Sequence, residues 1–237
     1  GRRGGGGAWQ GEWWGAAGVD WARGARLSMS VTGAGRRDRW RADWSLAAAG
    51  EAVAGGVAAI DRVEGGRKLS AEFEGYLAHV VPAVVTGVLD GRTTGKVSAF
   101  WSGDDRVDVR ELSLASAAMQ LSASGALDLK QSTAHGSAAL RLAREDGAPV
   151  EFVLGPGEVL SADNLDVRVS LPDALERVVR ADVAAKGLSS PFGAAASFRL
   201  AATASQAHAA GKTALDADKI AAAARLDGFA PRDGVAQ

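Results

Sequence analysis

The stretch Lys68-Leu69-Ser70-Ala71-Glu72-Phe73-Glu74-Gly75-Tyr76-Leu77 decides the fold. Leu69, Ala71, Phe73, Gly75 and Leu77 alternate with Lys68, Ser70, Glu72, Glu74 and Tyr76. A period of two belongs to an extended strand with one apolar and one polar face, and Gly65-Gly66 just ahead supplies a turn.

The same alternation spreads in both directions. Toward the N-terminus, Leu27, Met29 and Val31 alternate with Arg26, Ser28 and Ser30; after the turn-like Gly33-Ala34-Gly35, Trp40, Ala42, Trp44 and Leu46 alternate with Arg39, Arg41, Asp43 and Ser45. Toward the C-terminus, Val107 and Val109 face one way, the phase slips at Arg110-Glu111, and Leu112 and Leu114 resume, as a β-bulge requires. Met119 to Leu129, Leu140 to Leu142, Leu165 to Leu171, Val179 to Ala185 and Phe198 to Ala204 repeat the design. Gly211 and Gly228 bracket a strand-sized unit at Ala217 to Leu226. Two stretches break the period, around Pro82 and after Pro172, and predict one or two short helices near 77–89 and 173–178.

No linker divides the chain, so one continuous β segment is expected over 25–237. Residues 1–24 are expected to be a flexible or atypical edge: Arg2-Arg3 and Gly4 to Gly7 are followed by a crowd of Trp9, Trp13, Trp14 and Trp21. The 27 Lys and Arg against 28 Asp and Glu give no general drive toward nucleic acid or an anionic surface. Cysteine is absent, which removes disulfides and thiolate chemistry. No apolar run reaches the roughly 18 residues that span a bilayer, so any membrane anchor is expected outside this stretch.

Catalytic patterns are sparse. His79, His135 and His208 have no second ligand at metal spacing, and no Gly-x-Ser-x-Gly elbow is present. Gly33-Ala34-Gly35 and Gly155-Pro156-Gly157 lack the further residues of nucleotide loops and read as turns. Asp216 and Asp218 begin a Ca²⁺-loop pattern that is not completed. Glu72/Glu74, Asp104-Asp105 and Glu145-Asp146 read as solvated acids on a strand face or in loops, and Arg39 and Arg41 as an exposed charged face behind Trp40 and Trp44. The expectation is a protein that is not an enzyme and needs no cofactor or metal.

Several phrases together resemble the TamB/AsmA-like family of Gram-negative envelope proteins, particularly alanine-rich alphaproteobacterial forms. They are Val107 to Leu129, with its Leu-x-Ala-x-Gly-x-Leu strand; Val80 to Gly91; and Leu215 to Gly228. The resemblance covers about residues 25 to 237 and implies an internal fragment of an inner-membrane-anchored periplasmic protein. It implies a long curled sheet that conducts phospholipid and supports outer-membrane protein translocation and assembly. An outer-membrane barrel of the TamA/BamA type would be the partner of another part of the full protein.

The residues themselves fit that expectation, because inner positions are small: Ala71, Gly75, Ala123, Ala185, Ala194, Ala196, Ala202 and Ala204. A closed sandwich needs bulk there. The expected fold is all-β: an elongated, curled, mainly antiparallel sheet forming an open apolar groove. Its lining, for phospholipid acyl chains, is Trp40, Trp44, Leu69, Phe73, Leu77, Val107, Val109, Leu112, Leu114, Met119, Leu121, Leu127, Leu129, Val167, Val169, Phe198 and Leu200. Rival readings are an exported β-solenoid, disfavoured by the single asparagine at Asn164; a β-sandwich hydrolase; and an outer-membrane barrel, which lacks its aromatic girdles.

Overall fold

The structure is a computed structural model that describes residues 8–13, 27–36, 38–103, 105–131, 133–171, 178–205 and 219–232. Alternating side chains make sixteen strands of one sheet. In chain order they are β1 (Ala8–Trp13), β2 (Leu27–Arg36), β3 (Arg39–Ala48), β4 (Glu51–Val63), β5 (Gly66–Gly75), β6 (Thr93–Ser102), β7 (Arg106–Ala115) and β8 (Met119–Asp128). Then follow β9 (Thr133–Leu142), β10 (Val150–Gly155), β11 (Glu158–Ala162), β12 (Asn164–Leu171), β13 (Val178–Ser190), β14 (Gly193–Ser205), β15 (Lys219–Asp227) and β16 (Ala230–Pro231).

Strands β1 to β9 pair each with the next, all antiparallel; β9 then pairs with β12, β12 with β13, and β13 with β14. The sheet stays open, ending at β1 on one side and at β15 and β16 beside β14 on the other. It is a single curled layer rather than two stacked sheets or a closed barrel. The hairpin β10–β11 joins β13 at Ser161 and Ser189, so β11 and β12 follow one another along the same edge of β13. Asp163 makes the break. Its N–H donates to the Lys186 carbonyl at 3.0 Å, and its carboxylate fills the space that a Cβ on Gly187 would need. Gly187 sits at a left-handed φ of 59°.

Register hands the apolar face from strand to strand. Val31 lies opposite Trp44, Trp44 opposite Gly56, Gly56 opposite Phe73, and the row runs on through Gly95, Leu114, Leu121, Leu140, Val167, Val183 and Leu200 to Ala224. The bulge expected at Arg110-Glu111 is present: β7 shifts register between Val109 and Leu112, which returns Leu112 and Leu114 to the face of Val107 and Val109.

Three expectations are corrected. Gly33-Ala34-Gly35 is not a turn but lies within the end of β2, whose last residue, Arg36, pairs with Arg39 of β3. A Cβ on Gly33 would lie 2.6 Å from the Trp40 ring, so the glycine is the seat of an indole, not a hinge. Leu77 does not continue β5; it opens a 3₁₀ helix, Leu77–His79, followed by the α-helix α1 (Ala83–Thr86). Around Gly187 the phase of the strand pair changes, so Ala195 is buried while Ala194 and Ala196 are exposed. The short helix expected at 173–178 lies outside the described residues up to Val178, which begins β13. Of the tryptophan crowd, Trp9 and Trp13 fall in β1, which pairs with β2 along all its length, while Trp14 and Trp21 lie outside the described residues.

Large aromatic rings cross onto glycine neighbours throughout. Trp44 and Phe73 meet over Gly56 with centroids 6.0 Å apart, and Phe73 also covers Gly95, where a Cβ would overlap the ring. Replacing Gly95 by Val must therefore displace Phe73, and overpacking of this kind costs about 1–3 kcal/mol. Gly95→Val is expected to lower the urea midpoint by a corresponding amount, whereas Thr94→Val, an exposed position on the other face, changes stability by less than about 0.5 kcal/mol.

Candidate functional site

The apolar face is organised in rows that run across the strands. Its middle row is Ala42, Ala58, Ala71, Val97, Leu112, Ala123, Ala138, Val169, Ala181, Ala202 and Ala222. Most of these carry a single methyl. On one side stands the bulkier row that contains Trp44, Phe73, Leu114, Leu121, Leu140, Val167, Val183 and Leu200; on the other stand Trp40, Ile60, Leu69, Ala99 and Val109. Eleven strands take part, so the alanine floor extends about 50 Å at the usual strand spacing.

The predicted lining is placed as follows. Trp40, Trp44, Leu69, Phe73, Val107, Val109, Leu112, Leu114, Met119, Leu121, Leu127, Val167, Val169, Phe198 and Leu200 share one face by register. Leu77 lies beyond the strand in the 3₁₀ helix, and Leu129 lies past the end of β8, 59% exposed, its N–H donating to the Asp105 carbonyl at 2.9 Å. Neither stands on that face. Strands β4 and β6, which complete the face with Ile60, Ala58, Val97 and Ala99, gave little sequence signal because alanine and glycine offer no contrast between faces.

Most of the face is half-buried by its own neighbours. Among the described residues the buried apolar side chains are mainly alanines, and the one cluster of larger ones is Val88, Met119, Leu142 and Val150 with Ala118. That cluster is a cap. The connection from β5 to β6, instead of a tight turn, crosses toward β10 and places Val88 in this cluster, against which Leu89, Leu114, Leu140, Phe152 and Leu165 pack. Ser116 ties it down by donating to the Val88 carbonyl at 2.6 Å. The apolar face is thus covered at one end of its central strands and uncovered elsewhere among the described residues.

The opposite face is polar and saddle-shaped depressions lie against it. One, of about 850 Å³, is bordered by Thr32, Arg41, Asp43, Val57, Ser70 and Glu72; another, of about 400 Å³, by Asp166, Arg168, Asp182, Arg199 and Arg225. A twisted sheet is concave on each face along a different diagonal, so a hollow on the polar side is a consequence of twist. The ion pairs on this face, such as Arg39–Asp61 at 3.5 Å and Lys96–Glu111 at 3.2 Å, are largely solvated and contribute little to stability.

Titration follows the same division. The backbone N–H of Ala148 and the Arg144 guanidinium hold the Asp146 carboxyl below the usual carboxylate range, and Arg225 does the same for Asp227. Glu74 raises Arg92. All are solvated pairs outside the apolar face. Glu72 is exposed behind Phe73, Glu145 and Asp146 lie in the loop after β9, and His135 is exposed on the polar side of β9. No group of three or more His, Asp or Glu able to hold a metal exists among the described residues. His208, Asp104, Asp216 and Asp218 lie outside them. Among the described residues no helix is long and apolar enough to cross a membrane.

Comparisons with protein-family models, curated proteins and solved structures returned no match to this chain.

One buried polar group stands at the capped end: Thr93, fully buried, has a hydroxyl with no hydrogen-bond partner. An unpaired buried hydroxyl costs about 1–3 kcal/mol, and an apolar group of the same shape removes that cost. Thr93→Val is expected to raise stability by about 1 kcal/mol. Val150→Ala, by opening a cavity in the cap cluster, is expected to lower it by about 2 kcal/mol and to speed hydrogen exchange at Val88 and Leu89.

Proposed function

We propose that this chain is a non-enzymatic lipid-conducting segment of an envelope-spanning protein, in which phospholipid acyl chains lie on the apolar sheet face. The observation that carries the reading is the alanine floor flanked by bulkier rows and, away from the cap, left without a covering layer among the described residues. An apolar strip about 50 Å long is more than a stable sheet leaves to water without a use. Each methylene of a chain laid there is stabilised by about 0.8 kcal/mol, and these contacts are nondirectional, so a chain slides along the floor without acid, base or metal.

The wider setting follows from the sequence resemblance: a periplasmic position, an inner-membrane anchor elsewhere in the full protein, and an outer-membrane barrel partner. Support for outer-membrane protein assembly would use a different feature. β15 is the last strand beyond β14, and its outer edge pairs with no strand among the described residues, so it can template an incoming strand.

A photo-crosslinking amino acid at Phe73 or Leu121 tests the reading against the same probe at Glu72 or Gln120 on the other face. Lipid is expected to be captured at the first pair and not at the second. Equal capture on both faces, or none at Phe73 and Leu121, overturns it.

A further inference from the structure

We propose that Arg62 and Arg67, with Trp101, bind the phosphate of a single phospholipid whose chains rest on the alanine floor, an inference that depends on the apolar face being a lipid site. The hairpin between β4 and β5 turns at Glu64-Gly65. Ile60 pairs with Leu69 on the apolar face, and one step further toward the turn on that same face Arg62 pairs with Arg67. Arg67 in turn pairs with Trp101, and Trp101 with Val107. At this end, opposite the cap, the apolar rows of β4 and β5 therefore stop at two arginines that stand opposite each other.

Like charges directly opposite each other on a sheet destabilise it. On the opposite, polar face some basic side chains are matched by acids, Arg39 with Asp61, Lys96 with Glu111 and Arg106 with Asp108, while others such as Arg41 and Arg168 stand in solvent away from the apolar rows. None of the ion pairs among the described residues includes Arg62 or Arg67, and both are exposed. What Arg67 has is an aromatic ring, its guanidinium lying 5.8 Å from the centroid of Trp101. Two planar forks on neighbouring strands match the oxygens of one phosphate, and an anion there removes their repulsion. Trp101, 39% exposed, is amphipathic in the way of residues at a boundary between water and hydrocarbon.

The spacing identifies the rest of the ligand. From Arg67 to Ala71 on the floor is four residue steps, about 13 Å. Half the hydrocarbon core of a bilayer is about 15 Å. An acyl chain hung from a phosphate at the arginine pair therefore ends on the floor, with its headgroup in water. Solvent-exposed arginines bind a free anion weakly, so the apolar tail supplies the remaining affinity.

The test uses the whole chain and calorimetric titration with monomeric dihexanoyl phosphatidylglycerol, monomeric octyl glucoside and inorganic phosphate. Arg62→Gln/Arg67→Gln is expected to weaken the anionic lipid by about tenfold or more and the neutral glucoside by less than about twofold. Arg41→Gln/Arg168→Gln, an equal charge change on the polar face, is expected to alter neither. Equal losses for both amphiphiles, or equal losses in both double variants, overturn the phosphate site and leave the groove standing. Inorganic phosphate binding as tightly as the lipid makes it a free-anion site, and binding to phosphatidylglycerol vesicles without binding to monomers makes it a membrane-docking rim; each overturns the proposal. No binding of either amphiphile to the unaltered chain overturns the groove as well.

Discussion

Cross-strand register is the constraint on which the rest of this structure depends. Every apolar side chain in the row from Val31 to Ala224 owes its face to the strand before it, and a slip of one residue anywhere would turn the remaining strands over. The chain guards the register at the places where it is most at risk. The bulge in β7 absorbs Arg110 and Glu111 in one step, and Gly187 yields to Asp163 where the sheet passes from β11 to β12. Rings seated on glycines do the same between β2 and β6, because Trp40 fits only over Gly33 and Phe73 only over Gly95.

With a single layer, the usual source of stability is missing. Packing between two sheets or against helices is replaced by lateral contact within one face, and among the described residues only the crossing segment between β5 and β6 builds a dense cluster. Long strands, many backbone hydrogen bonds and half-buried side chains carry the fold.

Strands with chemical contrast were legible in the sequence. β3, β5 and β8 alternate aromatic or aliphatic residues with charged or hydroxyl ones, and even the slip in β7 could be read from Val109 and Leu112. β4 could not, because Ala54, Gly55, Gly56, Ala58 and Ala59 look alike on either side, and β6 sets Phe100 beside Trp101, one on each face. Glycine misled in both directions: Gly65 marks a turn, whereas Gly33 makes room for a ring, and only the partner strand distinguishes them. The face of the candidate site was readable, but not its division into a floor and two flanks. That depends on which residues stand opposite each other, a relation between strands that no single strand contains.

The order of the strands has a further consequence, for how the molecule comes apart. Apart from the step from β9 to β12 and the joining of β11 to β13, each principal strand leans on its immediate neighbour in the chain. Such an object behaves like a zipper: its free energy is close to a sum over adjacent pairs, and opening starts at the ends. The alanine-rich β15, holding β14 by backbone bonds and little side-chain bulk, is where fraying begins, and the capped centre opens last. Heat or denaturant should shorten this sheet before it melts it.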